Sequence, residues 1–187
     1  MAVNDEYLAV KAPYDSFVDS EDFVDEDRGV VYVYRRDPSS GEYEQVERLY
    51  TPEGTQVRPH LNDLIFLDDF LLVGAPGMNK VYVFERRSGN GAEGYEKTAE
   101  LEEGEGSVNF GIRLDGRGAD VMVGDLDGET SYTFSYEDGE WREKARFDGV
   151  NTSLSGRSIV EHEPTSFEVD ADEYGGEVKF YDLVCDE

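Results

Sequence analysis

Residues 71–114 read LLVGAPGMNKVYVFERRSGNGAEGYEKTAELEEGEGSVNFGIRL and contain one unit of a pattern that recurs along the chain. Within it, the run Val-Tyr-Val-Phe at 81–84 is β-branched and aromatic, which is typical of a largely buried strand. The apolar run at 71–73 stops at Gly-Ala-Pro-Gly, residues 74–77, whose turn geometry ends a strand. Residues 95–101 alternate in polarity as a half-exposed strand does. The stretch therefore predicts short antiparallel strands joined by tight turns.

Three markers of this unit recur in the same order. The central strand starts at Val31, Val81, Ser131 and Val178, with spacings of 50, 50 and 47 residues. The following strand repeats an aromatic residue six positions before an apolar one, at Tyr43, Tyr95 and Trp141. The preceding strand repeats a valine, at Val10, Val73, Val123 and Val169. A period of about 40–50 residues with four strands per unit is the signature of a β-propeller blade.

The motifs around these strands resemble FG-GAP repeats, the blades of integrin α-subunit propellers. The resemblance rests on Phe110-Gly111, on Val73-Gly74-Ala75-Pro76 and on the Gly29 strand Gly-Val-Val-Tyr-Val-Tyr. It implies an all-β propeller of about four antiparallel blades, at the cell surface or outside the cell, that serves adhesion and assembly. The second repeat alone carries a complete Gly-Ala-Pro; the others read Lys-Ala-Pro, Gly-Asp-Leu and Asp-Ala-Asp.

The repeats predict one domain over residues 1–187, with blade-like units at 7–50, 62–102, 108–148 and 155–184. Residues 1–6 are expected to be a loose lead-in, so the first unit lacks its first strand. Residues 15–28 form an acidic insertion between the second and third strands. Strand counts of three, four, four and three leave three alternatives: a small four-bladed ring, a part of a larger propeller, and a subunit that pairs its open edge strands with a partner or a second copy.

Charge excludes two classes of partner. The chain has 44 Asp and Glu against 17 Lys and Arg, a net charge of −27. Nucleic acids and anionic membranes both require a basic face, so neither is expected to bind. An acidic surface whose few cations are mostly Arg is typical of proteins from saline environments, and charge used for solubility is the alternative. No apolar run reaches the roughly 18 residues of a membrane span, and residues 1–14 lack the features of a signal peptide.

Calcium is the candidate cofactor, since integrin-type blades carry acidic Asp-x-Asp loops between their first two strands. The matching segment here, residues 115–120, holds two carboxylates around an Arg and departs from that motif. Acidic loops between the second and third strands are an alternative, because equivalent loops should cluster on one face of a ring. Closely spaced carboxylates suit a hard cation. The predicted metal ligands are Asp125, Asp127, Asp170 and Asp172.

Catalytic motifs are sparse. His60 and His162 lie in no nucleophile or metal motif, and Ser153 and Ser155 lie in a segment that does not read as a nucleophile elbow. The interpretation favoured by the sequence is a non-catalytic module that presents propeller loops to a protein or carbohydrate partner. The alternatives are a carboxylate-based hydrolase or lyase in a central channel and a fragment of a larger calcium-binding adhesion propeller. Fold resemblance alone does not choose among them.

Overall fold

The computed structural model describes residues 1–13, 17–20, 23–25, 29–50, 61–89, 92–103, 109–126, 130–148, 153–155, 158–162 and 178–182. Its strands are β1 (Ala2–Val3), β2 (Tyr7–Ala12), β3 (Phe17–Ser20), β4 (Phe23–Asp25), β5 (Val30–Arg36), β6 (Tyr43–Tyr50), β7 (Leu64–Leu67), β8 (Phe70–Ala75), β9 (Lys80–Gly89), β10 (Ala92–Glu102), β11 (Phe110–Arg117), β12 (Asp120–Asp125), β13 (Thr130–Glu137), β14 (Glu140–Asp148), β15 (Ser153–Ser155), β16 (Ser158–His162) and β17 (Val178–Asp182). One short 3₁₀ turn spans Pro76–Met78.

The strands form successive antiparallel sheets, which confirms the all-β class. The first sheet has the order β1-β2-β5-β6, and the small hairpin β3-β4 is inserted between its second and third strands. The second sheet is β7-β8-β9-β10, the third is β11-β12-β13-β14, and the fourth is β15-β16-β17. The predicted central strands at Val31, Val81, Ser131 and Val178 are all present.

The second sheet is covered on both faces. Leu71 and Val73 belong to an apolar cluster shared with the first sheet. Leu72, between them on the same strand, belongs to a second cluster shared with the third sheet. Because successive residues of a strand point to opposite faces, one strand serves both clusters. A strand buried on both faces reads as a continuous apolar run, as Phe-Leu-Leu-Val does at residues 70–73.

The sheets stack in one sense. The aromatic side chains of β9, Tyr82 and Phe84, face the first sheet, and those of β13, Tyr132 and Phe134, face the second. The intervening aliphatic residues face the following sheet: Val31 and Val33 pack toward the second sheet, and Val81 and Val83 toward the third. The second sheet thus turns an aromatic face to the first and an aliphatic face to the third, and the third turns an aromatic face to the second. The aromatic face of the first sheet carries Tyr32 and Tyr34, which are half-buried.

A close backbone approach explains the Phe-Gly and Gly-Ala-Pro segments. A Cβ on Gly74 would overlap the carbonyl oxygen of Gly111, so the second and third sheets meet through two glycines. Gly111 has φ +90°, and its own Cβ would lie 2.6 Å from the carbonyl oxygen of Lys80. Neighbouring Phe110 is fully buried and packs edge-on against Tyr132 at 5.4 Å between ring centroids. These segments are therefore contact points between sheets.

The last strand of each of the first three sheets, namely β6, β10 and β14, carries a β-bulge at the same place. The extra residue lies opposite the step between residues 33 and 34, 83 and 84, and 133 and 134 of the central strands. The bulged residues are Val46, Thr98 and Lys144. Bulges twist a strand and discourage a second chain from pairing along a sheet edge. This shared irregularity is a structural mark of the repeat.

The first sheet corrects one prediction. Residues 1–6 are not a loose lead-in, because Ala2 and Val3 pair with Ala9 and Leu8 and supply a first strand. Asn4 closes this hairpin: its side-chain oxygen accepts hydrogen bonds from the backbone N–H of residues 6 and 7 at 3.0 and 2.7 Å. Two paired residues are too few to show an alternating pattern, so no strand was predicted there.

The fourth sheet corrects a second prediction, which concerns the order of its strands. The sequence predicts residues 156–160 as the first strand of this unit and places Val169 in the second. In the structure β16 pairs directly with β17, with Val160 opposite Phe180, and β15 pairs with the other side of β16. The strand at Ser158–His162 therefore takes the second position, which suits its β-branched Ile159 and Val160. Val169 lies outside the described residues.

Candidate binding cleft at the hairpin ends

A cleft of about 370 Å³ opens at the junction of the first and second sheets. Its walls come from the β1–β2 turn, the β7–β8 hairpin and the paired strands β9 and β10. The lining residues are Asn4, Asp5, Glu6, Tyr7, Phe66, Asp68, Arg86 and Tyr95. A volume near 300–400 Å³ is at the lower end of the range for ligand sites.

Three aromatic rings form the floor of this cleft. Tyr7 and Tyr95 meet edge-on with 5.8 Å between ring centroids, and Phe66 lies 6.5 and 6.3 Å from them. Tyr7 begins β2, Phe66 lies on β7 and Tyr95 lies on β10, so the floor unites both sheets. Tyr7 is 4% and Tyr95 8% exposed. The rings are thus anchored in the core, and their polar edges border the cleft.

Arg86 forms ion pairs with two of the surrounding carboxylates. Its Nη1 lies 2.8 Å from Glu6 Oε2, and its Nη2 and Nε lie 2.5 and 3.0 Å from Asp69 Oδ1. The guanidinium carbon lies 5.9 Å from the centroid of the Tyr7 ring, a cation–π distance. Hydrogen bonding to Asp69 raises the pKa of Arg86 above its usual value. Arg86 therefore ties the β1–β2 turn to the β7–β8 hairpin as a permanent cation.

The remaining polar groups of the cleft are not matched in this way. Within the described part of the chain, neither Asp5 nor Asp68 forms an ion pair, and the Tyr95 hydroxyl makes no hydrogen bond. Burial, followed by the nearby Tyr7 hydroxyl, raises the pKa of Tyr95, so it stays neutral. Asp68 sits at the hairpin tip with φ 47°. The cleft is thus bordered by a neutral hydroxyl without a hydrogen bond and by two carboxylates without an ion pair.

The next junction offers an internal comparison. Phe70 begins β8 as Tyr7 begins β2, and Tyr136 pairs with Trp141 as Arg86 pairs with Tyr95. There the three aromatic rings of Phe70, Tyr136 and Trp141 pack together at 4.7, 5.4 and 5.4 Å between centroids. The position that holds a cation at the first junction holds a tyrosine ring at the second. The polar cleft is therefore a departure from the repeat.

A second cleft, of about 440 Å³, lies near the Gly74–Gly111 contact. Its polar lining comes from Lys11, Asn62 and Asn109. The Asn62 amide already donates to the Ile112 carbonyl at 2.5 Å. The backbone N–H of Asn109 donates to the Asn79 side chain at 2.6 Å. These groups connect sheets and leave little beyond the Lys11 amine for a ligand.

Of the predicted metal ligands, the structure places Asp125 alone. It ends β12 and is 1% exposed. Asp127, Asp170 and Asp172 lie outside the described residues, so calcium binding by the four remains a prediction. Within the described ranges, no three His, Cys, Asp or Glu side chains are grouped so that they could hold a metal ion.

The segment at residues 115–120 is not a cation-binding turn. Strand β11 continues to Arg117 and β12 begins at Asp120, leaving a tight hairpin at Gly118 and Ala119. Asp115 is paired with Met122 in the ladder, and Asp120 hydrogen-bonds the Ser135 hydroxyl. The two carboxylates are thus held apart by the strands on which they lie.

The sequence signalled part of the cleft. Tyr95 stood out as a repeated aromatic, but Arg86 and Tyr7 did not, because Arg86 reaches Glu6 across 80 residues of sequence. Of the two histidines, His162 lies in β16 and His60 lies outside the described residues. No family model matches the chain, and no curated protein matches it. No helix in the described residues is long and apolar enough to cross a membrane.

Proposed function

We propose that the chain is a non-catalytic recognition module, a small propeller of FG-GAP-like blades that binds a protein partner through the cleft at the first junction. The observation that carries the proposal is the unmatched polar lining of that cleft. The Tyr95 hydroxyl borders the cleft and makes no hydrogen bond within the described residues, so a partner can bind it without breaking an internal bond. The aromatic packing at the second junction indicates that the repeat itself does not require a polar cleft.

The stacking sense supports the propeller. At two successive junctions an aliphatic face of one sheet meets an aromatic face of the next, and the fourth sheet contacts the third through β15. A stack that repeats one interface closes into a ring when the last sheet meets the first. The half-buried aromatic face at Tyr32 and Tyr34 is the surface that would receive it. A four-bladed ring is therefore the arrangement that we favour.

A protein partner fits the cleft better than a carbohydrate does. Sugars are commonly held against broad aromatic faces, whereas Tyr7 and Tyr95 are nearly fully buried and offer only their polar edges. Phe66, the third ring, is half-buried. The polar rim around an apolar floor resembles the arrangement of protein interfaces.

The test blocks the cleft covalently. Cys185 is the single cysteine, so a Cys185→Ser background accepts one new label at a chosen position. Asp68→Cys, coupled to a bulky maleimide, closes the cleft. Asp138→Cys is the matched control, since Asp138 also occupies a hairpin tip with positive φ, at 54°. Both proteins are applied to arrays of defined peptides and glycans. We expect peptide signals that the label at 68 abolishes and the label at 138 preserves; identical binding patterns for the two would refute the proposal.

A further inference from the structure

The net charge of the side chains around the cleft determines the sign of the charge that its ligand should carry. Five charged side chains surround it: Asp5, Glu6, Asp68, Asp69 and Arg86. Arg86 pairs with Glu6 and Asp69 at 2.8 and 2.5 Å, and one cation beside four carboxylates leaves an excess of negative charge. A site with excess negative charge attracts cations and rejects anions.

The hydrogen-bonding groups left over select the kind of cation. They are the hydroxyl oxygen of Tyr95 and the carboxylates of Asp5 and Asp68. A primary ammonium has three donors and no acceptor, which suits three oxygen acceptors. A calcium ion takes six to eight oxygen ligands, and no three described carboxylates are grouped to begin such a shell. A guanidinium ligand is less suitable, because the Arg86 guanidinium already lies above the Tyr7 ring, where such a ligand would stack.

The aromatic floor suits the rest of such a ligand. Lysine carries its ammonium on a four-carbon stem that covers apolar surface while the charge stays in a polar setting. Phe66 is half-buried and lies beside Tyr7 and Tyr95, so it can receive that stem. Tyr95 is only 8% exposed, and its hydroxyl makes no hydrogen bond in the described part of the chain. This hydroxyl therefore marks the place in the cleft where the ammonium group would lie.

We propose that the cleft binds the ammonium group of a lysine side chain on a protein partner, with the Tyr95 hydroxyl and the carboxylates of Asp5 and Asp68 as its acceptors. This assignment rests on the recognition function proposed above and names the chemistry of the partner. The second junction lacks this set of polar groups. Tyr136 stands there in the position of Arg86, and the rings of Phe70 and Trp141 fill the space. One junction of the stack is thus specialised.

The experiment uses three short peptides that differ at one side chain. The probes are Gly-Gly-Lys-Gly-Gly with blocked ends, its norleucine counterpart and its Nε-acetyllysine counterpart. Binding to the full chain is followed by amide chemical shifts and by calorimetry at low and at 0.15 M salt. We expect the lysine peptide alone to bind, with Asp68→Asn and Tyr95→Phe each weakening it about 3–10-fold, which corresponds to the net loss of one hydrogen bond.

The control variant separates a site from general attraction to an acidic protein. Asp138→Asn makes the same change of charge at a hairpin tip of the same conformation and should leave binding unchanged. Equal weakening by Asp138→Asn would overturn the proposal, as would calcium chloride reproducing the shifts of the lysine peptide. If the arrays reveal a cleft-dependent peptide that contains no lysine, the ammonium assignment fails while the recognition function stands. If no cleft-dependent ligand appears, both fail.

Discussion

The contact between Gly74 and Gly111 gives the sharpest test of how the sheets are joined. In Gly74→Ala the new methyl group would overlap the Gly111 carbonyl oxygen, which belongs to the backbone and cannot rotate away. The second and third sheets must then separate locally. Gly118→Ala is the comparison, because nothing lies within 4 Å of the Gly118 Cβ position and its cost comes from its positive φ of 59°, a conformation that Gly74 does not have.

The expected loss follows from the bonds that cross this contact. Asn62 Nδ2 donates to the Ile112 carbonyl at 2.5 Å, and the Leu114 N–H donates to Asp63 Oδ2 at 3.0 Å. Losing one neutral and one charge-assisted hydrogen bond costs about 3 kcal/mol, and crowding of a packed site adds about 1 kcal/mol or more. We therefore expect Gly74→Ala to lower the free energy of unfolding by about 4 kcal/mol. Gly118→Ala should cost about 1 kcal/mol through its left-handed conformation alone.

Equilibrium unfolding in urea measures both variants. Trp141 is the single tryptophan and lies 5.4 Å from Phe70 across the same junction, so its fluorescence reports on that junction directly. For a chain of 187 residues, 4 kcal/mol corresponds to a fall in Tm of about 8–16 °C. A Gly74→Ala loss no larger than that of Gly118→Ala would show that the two sheets do not meet through these glycines.

Three further outcomes are expected. Tyr95→Phe should leave the free energy of unfolding unchanged or raise it by up to about 1 kcal/mol, because its hydroxyl makes no hydrogen bond in the described part of the chain; a clear loss in urea unfolding would contradict this. Burial opposes ionisation of Glu100, but hydrogen bonds from Lys80 and Lys97 outweigh it and lower its pKa from 4.5 to about 2. The stability that this carboxylate adds is therefore complete above pH 4.5 and is lost as the pH falls toward 2. The Tm of the unmodified protein should exceed that of Glu100→Gln by an amount that shrinks across this interval. A constant difference would refute the role given to the Glu100 carboxylate. Light scattering after size exclusion should give the mass of one chain in low and in multimolar salt, since the bulges disfavour pairing along the outer edges; a discrete oligomer would show that the edges do pair.

Local features made the repeated strands predictable. The runs beginning at Val31 and Val81 combine β-branched and aromatic residues and are flanked by turn residues. A few neighbouring positions are therefore enough to predict these strands. The two-residue strand at Ala2–Val3 gave no such signal. The order of the fourth sheet was missed because the pairing of Ser158–His162 depends on a strand about 20 residues away. Which strand pairs with which is not a local property.

The cleft was predictable only in fragments. The aromatic at Tyr95 followed from the repeat, and the acidic surface followed from composition. The ion pair of Arg86 with Glu6 depends on how two sheets stack, which no local pattern encodes. The tyrosine at position 136, where the earlier repeat has Arg86, is visible in the sequence, but its meaning appears only once the registers are aligned.

The two-sided second sheet has a consequence for how the chain is made. A ribosome delivers the chain from its amino end, so the first sheet exists before the second and can receive Tyr82 and Phe84 at once. The opposite face, with Val81 and Val83, must wait until β12 and β13 emerge about 40–50 residues later. During that interval the nascent chain displays an uncovered aliphatic surface. Slowing translation over residues 104–135 should therefore increase aggregation or chaperone capture more than slowing it at the start of the chain.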